Sequence, residues 1–196
     1  MKSLKIAFLS LSVTLAASAA QAGLLLEPYL GYGFGTVEAK QNSGATAKST
    51  LTMPVLGGRV GYEGFLVHAA IDYSLPLGGT SKGDSGGAED ADISGGSSLF
   101  AVVGVHIPLF RFWGGYGIIY DLTLKDDGAE TTYKGTALKA GVGFTGLPFV
   151  ALNLEYIMGT TDKLKTSSGE TSVSDLGYSS VKSNLVLLSV SMPFDL

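Results

Sequence analysis

Residues 149–160 read FVALNLEYIMGT. Val150, Leu152, Leu154, Tyr156 and Met158 recur at every second position, with Asn153, Glu155 and Gly159 on the alternate positions. A period of two places the first set on one face of a β-strand and the second set on the other. One face is continuously apolar, and the other carries small residues and isolated polar groups.

The same pattern recurs along the chain. Eight segments of about ten residues or more read as strands, at 24–36, 51–62, 65–75, 97–107, 111–124, 131–144, 149–160 and 180–194. In the third, Val67, Ala69, Ile71, Tyr73 and Leu75 oppose His68, Asp72 and Ser74. In the fifth, Phe112, Tyr116, Ile118, Tyr120 and Leu122 oppose Arg111, Trp113, Gly115, Gly117 and Asp121. In the sixth, Leu138, Ala140, Val142 and Phe144 oppose Gly135, Lys139, Gly141 and Gly143. The connections alternate in length. Those at 37–50, 76–96, 125–130 and 161–179 are long and rich in Gly, Ser, Thr, Asp and Lys, while those at 63–64, 108–110 and 145–148 are tight. Sorting of long loops to one end and short turns to the other is the habit of barrels that cross an outer membrane.

Two features turn the apolar face outward. The charged face is mostly small, as the crowded inside of a narrow barrel requires. The outer-face aromatics also fall at two heights: Tyr62, Phe65, Phe112, Phe144 and Phe194 toward the turns, and Phe34, Tyr73, Tyr120 and Tyr156 toward the loops. Two aromatic girdles around an aliphatic band suit a bilayer, and closure removes strand edges that lipid cannot satisfy. The expected fold is all-β, an eight-stranded antiparallel up-and-down transmembrane β-barrel.

The N-terminus supports export. Lys2 and Lys5 precede an apolar run from Ile6 to Ala17, and Ala20-Gln21-Ala22 is a small-residue cleavage site. Residues 1–22 read as a signal peptide and 23–196 as a single outer-membrane barrel domain. Once Lys2 and Lys5 leave, 11 of the 13 basic residues face 17 acidic ones, a net charge of −6. Such a balance argues against nucleic acid, which requires a basic face. There is no cysteine, so packing and hydrogen bonds alone hold the exported domain together.

The strand count, the loop asymmetry and the segments EPYLGYGFG (27–35) and LKAGVGFTGLPFVALNLEYIMG (138–159) give the chain a family likeness. It resembles the small eight-stranded outer-membrane barrels of the OmpA transmembrane-domain and OmpX type. The resemblance covers the whole chain after the leader. It implies outer-membrane lipid and lipopolysaccharide as surroundings, and the barrel-assembly machinery as a partner. It also implies an extracellular partner met through loops 37–50, 76–96, 125–130 and 161–179. One departure is at the C-terminus: such barrels often end on an aromatic, whereas this chain ends SMPFDL, with Phe194 two residues short.

Parity assigns Glu27, Asp72, Asp121 and Glu155 to the barrel interior, against Arg59, Arg111 and Lys139, with His68 and His106. Unpaired charges in a tight interior cost several kcal/mol each, so pairs are expected, Glu27 with Arg59 and Lys139 with Glu155. Such a network reads as a plug rather than a conduction path, because an eight-stranded interior is only wide enough for side chains.

One stretch points to a different chemistry. GDSGG at 83–87 is the signature around a protease serine, but Ser85 lies in a loop of turn residues and His68 is only 17 residues upstream on a strand. Both histidines map to the turn half of the barrel, out of reach of a nucleophile at the loop rim. The acidic residues Asp84, Glu89, Asp90 and Asp92 lack calcium-loop spacing and read as a solvated loop. The sequence therefore reads as non-enzymatic, without cofactor or metal: a barrel that supports the membrane and displays loops. The alternatives are a narrow pore for small hydrophobic solutes and a secreted, lipocalin-like binder with the opposite parity.

Overall fold

The computed structural model describes residues 23–64, 66–126 and 129–195. The expected leader, 1–22, and the girdle residue Phe65 lie outside the described residues.

Among the described residues, eleven strands form one sheet. They are β1 (Gly23–Gln41), β2 (Thr46–Glu63), β3 (Val67–Pro76), β4 (Gly79–Ser85), β5 (Ala91–Ile107) and β6 (Phe110–Asp126). β7 (Ala129–Phe144), β8 (Ala151–Thr166), β9 (Gly169–Ser172), β10 (Tyr178–Ser191) and β11 (Phe194–Asp195) complete it. All pairings are antiparallel, and β1 pairs with both β2 and β10, which closes the ring. β3 and β4 share one stave and β10 and β11 another, so the barrel has eight staves. Prolines fall where the ladder is interrupted. Pro54 of β2 faces the break between β3 and β4, and Pro28 of β1 faces the break between β10 and β11. Proline has no N–H to leave unpaired at such places.

The apolar face is outside. Leu30 and Tyr32 on β1, Leu152 and Leu154 on β8, and Leu188 and Val190 on β10 are all exposed, within a belt that runs round the barrel. A soluble chain does not present an apolar surface of this extent. Among the girdle residues, Phe34, Tyr62, Tyr73, Phe112, Tyr156 and Phe194 are exposed on this surface, and Phe144 is half-buried against Phe110.

Tyr120 departs from the expectation. β6 carries a bulge between Gly117 and Tyr120, and Ile118 and Ile119 both face outward. One extra residue inverts the parity of everything beyond it. Tyr120, Leu122 and Leu124 therefore turn inward and pack on the core, and Tyr120 is not part of a girdle. Asp121 moves the other way. It stands in register with Lys134, half-buried and outside the interior charge cluster.

The long connections are also more ordered than their composition implies. β1 and β2 continue to a tip at 42–45, β4 and β5 to a tip at 86–90, and β8 folds back through β9 and a 3₁₀ turn (Ser174–Leu176). Lys134 and Lys163 both donate to Glu170 of β9, which holds its carboxyl down at about 2. The outer ends of the staves are thus strand-built projections rather than open loops.

Many glycines inside the barrel are sockets. Gly57 stands in register with Tyr29, Gly117 with Phe100 and Gly141 with Trp113. A Cβ at any of the three would collide with the facing ring. The bare backbone lets large inward rings lie flat against the opposite stave. Gly141→Val is expected to displace Trp113 and destabilise the barrel by roughly 1–3 kcal/mol, the usual penalty for overpacking. Urea unfolding followed by Trp113 fluorescence, in detergent micelles, measures this.

Candidate functional site

The inward residues of the turn-side half meet in a dry cluster built around Arg59. It projects from β2, where its neighbour in register on β1 is Glu27 and on β3 is Asp72. Its Nε donates to Asp72 Oδ2 at 3.0 Å, and Nη1 lies 3.2 Å from Glu27 Oε1 without hydrogen-bond alignment. Nη2 donates to Glu155, which reaches across the lumen from β8. One guanidinium thus ties four staves, β1, β2, β3 and β8, with the planar fork that suits several carboxylates. Trp113 and Tyr29 hold its faces, their ring centroids 4.6 and 5.0 Å away.

Two further cations complete the network. Lys139 Nζ lies 2.9 Å from Asp72 Oδ2 and 3.0 Å from Glu155 Oε2, and 4.2 Å from the Phe100 ring centroid. Arg111 donates to Glu27 and approaches Glu63 Oε2 at 3.5 Å. Hydroxyls add to two of these carboxylates: Tyr29 donates to Asp72 Oδ1 at 2.8 Å and Ser191 to Glu27 Oε1 at 2.6 Å, while Glu27 Oε2 has no hydrogen-bond partner among the described residues. Glu27, Arg59, Asp72, Arg111, Lys139 and Glu155 are all buried, three acids against three bases.

The placement of the remaining candidates differs. His68 is inward and buried against Gly104, but its Nδ1 has no hydrogen-bond partner among the described residues. His106 sits at the turn end, partly open, and its Nδ1 donates to Glu63 at 2.5 Å. Asp121 is absent from the cluster because of the β6 bulge, and Glu63 supplies the fourth acid instead. Glu63 had been read as a turn residue. β2 runs one residue further than its apolar pattern, and extending the parity of Arg59 and Gly61 by one more step points to Glu63.

The ion pairs are confined to this half. Toward the long projections the buried inward side chains include Leu51, Met53 and Leu185, with hydroxyls such as that of Ser81 among them. The other end of the lumen is mostly apolar, with the hydroxyls of Ser49, Ser81, Thr131, Thr161 and Ser183 interspersed. The physical reason is visible in β10, where LVLLSV (185–190) is apolar on both faces and shows no alternation to read.

GDSGG has a structural explanation. Its Gly-Asp-Ser ends β4, and Gly86 and Gly87, with φ of 70° and 76°, turn the chain at the projection tip. A Cβ at Gly86 would strike the Thr46 carbonyl. Asp84 accepts from Thr50 Oγ1 at 2.7 Å, and Asp90 accepts from the Gly83 amide at 2.9 Å. Ser85 is exposed and lies at the opposite end of the barrel from His106.

This ring of staves with an apolar outside and a charged core is the architecture of an outer-membrane β-barrel. Comparison with solved structures agrees. Neisserial surface protein A superposes with a TM-score of 0.52 at 17% identity, covering 88% of this chain and 99% of that one. The attachment invasion locus protein Ail of Yersinia pestis gives 0.51 at 15% identity, covering 86% and 98%. Outer membrane protein OprG from Pseudomonas aeruginosa gives 0.53 at 16% identity, covering 90% and 98%. At these identities the likeness is one of fold. No protein-family model matches the sequence, and no curated protein matches it.

Removing one partner of a buried, shared ion pair strands the others. Arg59→Ala is expected to destabilise the folded barrel by roughly 3–5 kcal/mol, and Glu27→Ala/Arg59→Ala by less than the sum of the two single changes. Urea titrations of the four proteins in micelles give the coupling. Additive effects would show that Glu27 and Arg59 do not interact.

Proposed function

We propose that the protein resides in the bacterial outer membrane as a non-enzymatic, non-conducting barrel that supports the membrane and presents its strand-built projections at the cell surface. The observation that carries this reading is the buried, charge-balanced cluster around Arg59. An eight-stranded lumen is just filled by side chains, and here long charged ones from opposite staves cross it and bond to each other. An ion entering from either end would have to displace charged side chains that already bridge the lumen.

The surroundings this reading requires are lipid and lipopolysaccharide at the apolar belt, with the barrel-assembly machinery during insertion. An extracellular partner would meet the projections at 37–50, 76–96, 125–130 and 161–179. Surface segments held on a rigid scaffold are where recognition is usually placed. The test is electrical. Purified protein in a planar bilayer is expected to give no resolved conductance steps at moderate voltage. Discrete, reproducible steps from the wild-type protein would contradict a closed lumen.

A further inference from the structure

The outer half of the lumen holds a cavity of about 460 Å³ that the plug does not occupy. This is within the size range of small-molecule sites, roughly 300–1,000 Å³. All eight staves contribute to its wall. Val37, Leu122, Leu124 and Val181 are among its apolar lining, and Ser49, Ser81 and Thr161 among its hydroxyls. Leu164 and Val173 of the folded-back β8 region pack behind Val37 and Val181 and stiffen that side.

The cavity is open at the outer end and closed at the inner. Its floor includes Tyr120, the residue turned inward by the β6 bulge, whose hydroxyl lies 3.4 Å from Ser183 Oγ. Tyr120 packs edge-on to Phe100, with ring centroids 6.4 Å apart, and the far side of Phe100 meets Lys139 of the ion cluster. A molecule that enters from outside therefore reaches a dead end. The charge at the walls is one-sided. Glu89 and Asp126 line the cavity, and no Lys or Arg is among the described residues that do.

We propose that this cup binds a small amphiphile whose head is not anionic. The apolar body lies among Val37, Leu122 and Val181, and a neutral or positive head stands beside Glu89 and Asp126. The apolar part of the wall disfavours strongly hydrated solutes, because burying a polar group without a partner is costly. The two carboxylates disfavour a negative head by like-charge repulsion. Binding needs neither conduction nor a surface partner, so it stands or falls separately from the closed-lumen reading.

The test is a titration of the full barrel in lipid nanodiscs, followed by methyl NMR, with hexyltrimethylammonium and with hexyl sulfate. The expected result is saturable shifts at Val37, Leu122 and Val181, with a Kd roughly tenfold lower for the ammonium than for the sulfate. Ala39→Trp, which takes up part of the cup, is expected to weaken the saturable binding severalfold. The double variant Glu89→Gln/Asp126→Asn leaves the cup open and is expected to lose the tenfold preference. Shifts that never saturate, or whose titration is unchanged in Ala39→Trp, would reveal simple partition into the bilayer and overturn the proposal. Equal or tighter binding of hexyl sulfate to the wild-type protein would overturn it as well.

Discussion

The rest of the structure depends on the burial of Arg59. A guanidinium with no access to water must be met by carboxylates, and Glu27, Asp72 and Glu155 reach it from three other staves. That arrangement is stable only if the staves close into a ring and the centre stays dry. Closure in turn sends the side chains at alternate positions outward, where they are largely apolar. The belt of Leu30, Leu152, Leu154 and Leu188 and the core of Arg59 are therefore two sides of one constraint. Lipid outside allows charge inside, and the charge inside must balance itself.

The small residues are a consequence of the same constraint. Eight staves leave little room, and the lumen must hold three long cations and several rings. Glycines at 57, 117 and 141 let Tyr29, Phe100 and Trp113 lie close to the wall, and two of those rings cover Arg59. The abundance of glycine thus reflects packing across staves as much as turns. Above the cations the demand changes. No buried cation among the described residues there calls for carboxylates, and the lumen opens into a mostly apolar cup with hydroxyls in its wall and Tyr120 at its floor, packed on Phe100.

Strand number, loop asymmetry and the inside-out parity were legible in the sequence because alternation is regular wherever one face meets lipid and the other meets charge. β3 and β8 are the clearest cases. Parity alone brings Glu27, Arg59, Asp72, Lys139 and Glu155 to one face of their strands. Three features were not legible, each for a local reason. A bulge adds one residue without changing composition, so Tyr120 and Asp121 exchange faces unannounced. Glu63 lies at a strand end, where a polar residue before Gly64 looks like a turn. The apolar upper lumen makes strands such as 185–190 apolar on both sides, which erases the period that the reading relies on.

The account rests on which leucines touch lipid and which do not. The most direct measurement is methyl NOE spectroscopy of the protein in nanodiscs, reading contacts between leucine methyls and lipid acyl chains. Leu30, Leu152, Leu154 and Leu188 should show strong lipid contacts, and Leu51, Leu185 and Leu187 should show none. Lipid contacts at the second set, with none at the first, would mean that the barrel is turned the other way out and that Arg59 is not at its core.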